Sequence, residues 1–141
     1  MIDGMQRLLV FTMRGSRYAL DLQQIAEVLP PPEMFPVPWA PDCIRGAMNF
    51  HGNLVAVLDL AAFMNAGTMD ANGNILVLDK RTANLALLVD GVENIVLADG
   101  VLEEDESRDP MVDKVLIMAD GEIRLLAAGK LLESIEALLR W

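Results

Sequence analysis

The hydrophobic pattern of the chain is organised around CIRGAMNFHGNLVAVLDL, from Cys43 to Leu60. Ile44, Met48 and Phe50 alternate with polar or small residues, and Leu54 to Leu58 is apolar throughout, which predicts two strands joined by a tight turn. Gly52-Asn53 supplies the turn, with glycine first as the type II′ geometry asks. Without a bulge, a period of two puts Ile44, Gly46, Met48 and Phe50 on one face and Arg45, Ala47, Asn49 and His51 on the other. The first face reads as buried and the second as displayed. The Leu54–Leu58 strand reads as covered on both faces.

Upstream, RLLVFTM from Arg7 to Met13 is rich in strand formers, Arg14-Gly15-Ser16 breaks it, and Tyr18-Ala19-Leu20 resumes the pattern, which predicts a first hairpin. Asp21 is placed to cap a short helix in which Leu22, Ile25, Val28 and Leu29 recur at three- and four-residue spacing, with Gln23, Gln24 and Glu27 outside. Six of the seven prolines fall between Pro30 and Pro41, beside Phe35 and Trp39, so this segment is predicted to be extended and rigid. Such a segment also fits a ligand of SH3-type domains, but it lacks a basic flank and predicted elements bracket it.

Beyond Asp59, Leu60 to Met64 predicts a short helical piece, and Asn65 to Gly73 a loop that marks a subdomain boundary. Strands are predicted at Asn74–Asp79, Leu85–Asp90 and Val92–Ala98. The adjacent acids Glu103, Glu104, Asp105 and Glu106 favour a solvated loop. Val112 to Ala119 and Glu122 to Leu126 flank Asp120-Gly121, another hairpin signal. The chain closes on an amphipathic helix with Leu131, Leu132, Ile135, Leu138 and Leu139 on one stripe and Lys130, Glu133, Glu136 and Arg140 on the other face. The expected unit is a single domain over residues 1–141, mainly β by about nine strands against three short helices. One subdomain is expected over about 1–64 and another over about 65–141, with termini free to cross between them.

Composition narrows the classes. With 53% hydrophobic and 23% charged residues the chain has the means to build a core, and 5% aromatics makes that core one of aliphatics and methionine. Folding at this length hides roughly two-thirds of the unfolded surface. The net charge of −10 repels phosphate backbones and anionic lipid, which sets nucleic acid aside as a partner. Cys43 is the only cysteine and forms no intrachain disulfide, and no run approaches the roughly 18 apolar residues of a membrane span. MIDGMQRLLVF lacks the apolar stretch and cleavage site of a signal peptide, so a cytoplasmic chain without direct membrane insertion is expected.

Motifs for chemistry are scarce. One histidine and one cysteine cannot build a four-ligand zinc site, so no metal is expected. Asp70-Ala71-Asn72-Gly73-Asn74 departs from a calcium loop, with glycine at the fourth position instead of the sixth and Arg81 where the bidentate glutamate belongs. Phosphate-cradling glycine motifs and a G-x-S-x-G elbow are absent from the sequence. A hydrolase using a pair of the 21 acids, and a small-ligand barrel, stay open as alternatives.

In chain order, FTMRGSRYALDLQQIAEVL, a proline-bearing link ending in P-W-A-P, IRGAMNFHGNLVAVLDL and LALLVDGVENIV resemble the CheW family. That family's pattern runs from a YALPL-like strand through a V-x-E-V helix and an RG-hydrophobic-N-x-RG hairpin to VDL, then LLVD-x-V. The match covers Leu8 to about Leu139. The resemblance implies two five-stranded SH3-like barrel subdomains sharing a hydrophobic core, without catalysis or cofactor. It also implies a scaffold coupling chemoreceptors to a CheA-type histidine kinase, its partners being the kinase regulatory domain and the cytoplasmic receptor tip. Two departures stand out: the second RG of the hairpin is His51-Gly52, and the arginine that commonly follows DL is Ala61.

Residue by residue, the resemblance places partner-binding positions at Ile25, Glu27 and Val28, and at Arg45, Gly46, Asn49, His51 and Gly52. Each also has a structural reading. Gly46 and Gly52 serve backbone geometry, Ile25 and Val28 the core, and Asn49 its own turn. For Arg45 and Glu27 the choice is between setting register with a partner and a solvated charge; on a displayed face, Arg45→Glu is expected to weaken binding and spare the fold.

Overall fold

The computed structural model describes residues 5–67 and 73–139. Strand β1 (Arg7–Met13) and strand β2 (Ser16–Asp21) form the first hairpin, closed by Arg14-Gly15 with φ of 51° and 85°. Then follow β3 (Ile25–Leu29), β4 (Ile44–Phe50), β5 (Asn53–Asp59), helix α1 (Leu60–Phe63), β6 (Asn74–Leu78), β7 (Leu85–Val89), β8 (Gly91–Leu97), β9 (Glu103–Glu106), β10 (Val112–Met118), β11 (Gly121–Leu126) and α2 (Ala128–Leu139). They build a six-stranded sheet in the order β8-β1-β2-β11-β10-β9 and a five-stranded sheet in the order β3-β6-β7-β5-β4. Each sheet is antiparallel except at one seam: β2 runs parallel to β11, and β5 parallel to β7.

Two predicted assignments change. The helix expected after Asp21 is a single 3-10 turn, Leu22–Gln24, capped by Asp21 through a 2.9 Å bond from the Gln23 N–H, and the chain then straightens into β3 on β6. So short a helix is marginal without packing, Pro30 bars its extension, and the β-branched Ile25 and Val28 suit the ladder that β6 offers. The acidic run is β9, whose partner is β10 through pairs from Lys114↔Glu106 to Ile117↔Glu103. Charges are tolerated there because β9 is an edge strand, and they discourage further strand pairing.

The sheets also part company with the expected boundary near residue 64. Strands β6 and β7 join residues 25–59 in one sheet, while β1 and β2 join residues 91–126 in the other. β1 is what makes this work, since it is buried on both faces. Leu8 and Val10 pack with Ala19, Leu116 and Ile123 inside the six-stranded sheet; Leu9, Phe11 and Met13 face the shared core with Met48, Leu58, Leu76 and Leu87. Polar bonds pin the seam: the Asp90 N–H donates to the Thr12 carbonyl at 3.0 Å, and Asn74 Oδ1 accepts from the Val92 N–H at 3.0 Å. Helix α2 sets Leu131 and Ile135 into the shared core, against a contact zone that includes Leu20 of β2 and Leu78 and Leu87 of the other sheet. In the predicted stripe Leu138 is more exposed; the side chain of Leu139 and all of Arg140 lie outside the described residues. The same holds for residues 68–72 of the loop after α1.

Candidate partner-binding surface

β3 and β4 are the two outer strands of the five-stranded sheet, yet the tip of the β4–β5 hairpin reaches β3. His51, in the β4–β5 turn, brings Nε2 to 3.4 Å from Oε2 of Glu27 on β3. Two candidates from distant parts of the sequence thus become neighbours, and both are exposed. Val28 follows Glu27 and is partly exposed, while Ile25 is half-buried against the shared core. A bulge between Ile25 and Glu27 breaks the ladder to β6 there, which re-aims Glu27 relative to a regular strand.

The hairpin differs in detail from its prediction. Phe50 pairs with Asn53, so the two turn residues are His51 and Gly52, one position earlier than expected. Their φ values of 52° and 86° are both positive, as in a type I′ turn, which fits the right-handed strand twist. The ring of His51 packs on Phe50 at 4.3 Å between centroids. Asn49 Oδ1 accepts the Gly52 N–H at 2.9 Å, so Asn49 braces the turn. Beyond the turn Leu54 is 67% exposed, against the expectation that β5 is covered throughout; Val55, Val57 and Leu58 are buried.

Arg45 and Gly46 both carry structural duties at the start of β4. A bulge between Ile44 and Gly46 leaves Arg45 as the extra residue opposite β5. Its guanidinium lies 3.6 Å from the carboxylate of Asp59, which is 1% exposed. Arg45 therefore serves the fold as well as the surface. Gly46 is buried with φ of 150°, and a Cβ there would stand 2.7 Å from the carbonyl oxygen of Phe35. The cause is Phe35, which exchanges two 2.8 Å backbone hydrogen bonds with Ala47 and so lays the proline-rich segment along the outer edge of β4.

Asp59 itself was missed by sequence reasoning. Its Oδ1 caps α1 by accepting the Ala62 N–H at 3.0 Å, and its own N–H donates to the Cys43 carbonyl at 2.7 Å. The available signal was an aspartate ending an apolar run just before a helix. Burial pushes the neighbouring Cys43 thiol up from its ordinary value. Among the described residues no three His, Cys, Asp or Glu side chains gather as a metal-binding group, and no described helix is long and apolar enough to cross a membrane.

The family model described as a CheW-like domain matches residues 7–136. This chain belongs to the CheW-like domain family. It is 28% identical over 93 residues to the chemotaxis protein CheW of Klebsiella aerogenes, an alignment covering 64% of this chain and 56% of that protein. It is 20% identical over 116 residues to CheW of Treponema pallidum, covering 78% of this chain and 66% of the relative. The chain thus spans between about half and two-thirds of these relatives' lengths. The crystal structure of the scaffolding protein TtCheW from Thermoanaerobacter tengcongensis superposes with a TM-score of 0.73 at 20% identity, covering 86% of this chain and 88% of the other. The CheW-like fold accounts for the mainly β architecture, although one of the two sheets here has six strands and the other five.

Proposed function

We propose that the chain is a non-enzymatic adaptor of chemosensory signalling that couples chemoreceptors to a CheA-type histidine kinase. The kinase regulatory domain and the receptor tip are its partners, and the cytoplasm is its place. The observation that carries this reading is the meeting of Glu27 on β3 with His51 at the hairpin tip, 3.4 Å apart on an exposed face. Family-matched positions distant in sequence meet on this face, flanked by Asn49 and Gly52, and Val28, next to Glu27 along β3, is also partly exposed. Where the family pattern has arginine, His51 offers a shorter side chain packed at a tilt against Phe50, so the surface presents an acid and an imidazole side by side. Membership of the CheW-like family and likeness to two chemotaxis proteins support the same role. In a titration calorimeter the chain binds the kinase regulatory domain or the receptor tip from its own organism, and Glu27→Arg weakens one of these interactions by about tenfold. Absence of binding to both partners contradicts the proposal.

A further inference from the structure

His51 is the only histidine in the chain, and the structure puts it where a proton changes a contact. Its Nε2 stands 3.4 Å from Oε2 of Glu27, longer than the roughly 2.7–2.9 Å of a charge-assisted hydrogen bond. The attraction is therefore one of charge, and the imidazole has that charge only while it carries its second proton. The ring is aimed beforehand: the turn holds His51 at φ of 52°, and the ring leans on Phe50 at 4.3 Å between centroids.

The contact spans two parts of the sheet that no backbone ladder joins among the described strands, since β6, β7 and β5 lie between β3 and β4. Ala26 of β3 and Phe50 of β4, each next to one member of the pair, line an open groove. Asp79, Lys80 and Arg81 line the same groove from the β6–β7 turn, and the Arg81 guanidinium holds the Asp79 carboxyl below its ordinary value. On β4 itself, Arg45 lies against Asp59. Carboxylates, ammonium and guanidinium groups ordinarily keep their charge between about pH 6 and pH 8, whereas histidine ordinarily titrates across that window. Of the charged groups around the hairpin tip, His51 is thus the one that a shift within this window switches.

We infer that protonation of His51 latches the hairpin tip to β3 and thereby tunes the partner-binding surface to pH. The effect on partners rests on the reading of that surface given above, and the latch does not. A latched tip holds the two halves of the surface in one relation, which spares a partner the cost of ordering them on binding. The latch is present in acid and lost as pH rises through the imidazole range. Both side chains are exposed, at 74% and 44%, so the change in affinity is about two- to fivefold, a modulation and not an on–off switch.

Nuclear magnetic resonance relaxation on the free chain tests the latch. Backbone order parameters of residues 50–53 should rise in the wild type from about pH 8 to about pH 6, and should be high at both values in His51→Arg, whose charge is permanent. Glu27→Gln keeps the turn and the imidazole but removes the opposing charge, so its tip should not respond. Calorimetry with the kinase regulatory domain and the receptor tip of the same organism then reads the effect on partners: the wild type should gain about two- to fivefold in affinity over the same shift, and neither variant should, which separates the gain from titration of the partner. A wild-type tip with equal order parameters at the two pH values, or a Glu27→Gln tip that stiffens in acid as the wild type does, overturns the latch. A tip that stiffens while wild-type affinity follows pH as Glu27→Gln does overturns its effect on binding. A tip that stiffens with neither partner bound at either pH upholds the latch and contradicts the adaptor reading instead.

Discussion

Asp59 is the one buried charged residue among the described residues, and its neighbours explain why the position is costly to change. It balances Arg45 at the β4 bulge, caps α1 and fixes the backbone at Cys43. Asp59→Ala removes the cap and leaves the half-buried guanidinium without this counter-charge, so urea unfolding should show a loss of about 2–4 kcal/mol. Arg45→Glu sets a second carboxylate against a buried one and should lower the melting temperature, in contrast to the fold-neutral effect expected of a displayed strand face. At Gly46 a methyl group meets the Phe35 carbonyl at 2.7 Å with the backbone already in positive φ. Gly46→Ala should therefore cost about 2–4 kcal/mol by the same measurement. At this scale the residue types of the site were legible, but their duties were not. Alternation put Arg45 on the displayed face, where it is exposed, but gave no sign of its pairing with Asp59, because a bulge cannot be read from one strand without its partner.

Elements show the same divide. β1, β7 and α2 form where their apolar runs put them, as do β4 and β5 apart from the bulge at Arg45, the earlier turn and the exposed Leu54. β3 and β9 were misread because pairing with β6 and β10 decided their conformation, and the sequence of a strand does not contain its neighbour. The hairpin turn couples stability to the surface. His51 holds φ of 52° where asparagine is the favoured residue. His51→Asn should raise the melting temperature slightly while removing the imidazole from Glu27, so calorimetry should find a more stable chain that binds its partner less well. Leu131 and Ile135 of α2 are each 2% exposed. Leu131→Ala should destabilise the chain by about 2–5 kcal/mol in urea, because α2 bridges both sheets and collapse into the vacated space is resisted from two sides.

For the whole molecule, the interleaving of the sheets was invisible in sequence order. A boundary at the loop after α1 was the natural reading, yet β6 and β7 return to the earlier sheet and β1 is shared. One consequence is acid sensitivity at the β2–β11 seam, where only two residue pairs join the strands. Arg17 bonds Asp120 through two 3.2 Å contacts across this seam and holds its carboxyl below the ordinary value of 3.8. A folded value below the unfolded one gives stability that is present above pH 3.8 and lost as pH falls through the lower folded value. Wild type and Asp120→Asn should therefore differ in stability at neutral pH and converge in acid, the effect being small because Asp120 is exposed.

The central claim is that this chain links receptor and kinase, and reconstitution tests it most directly. Receptor-bearing membranes and the CheA-type kinase from the same organism are combined, and kinase autophosphorylation is followed as the chain is added. Autophosphorylation should come under receptor control only when the chain is present, and control should be lost with Glu27→Arg. Kinase activity that is indifferent to saturating amounts of the wild-type chain would contradict the claim.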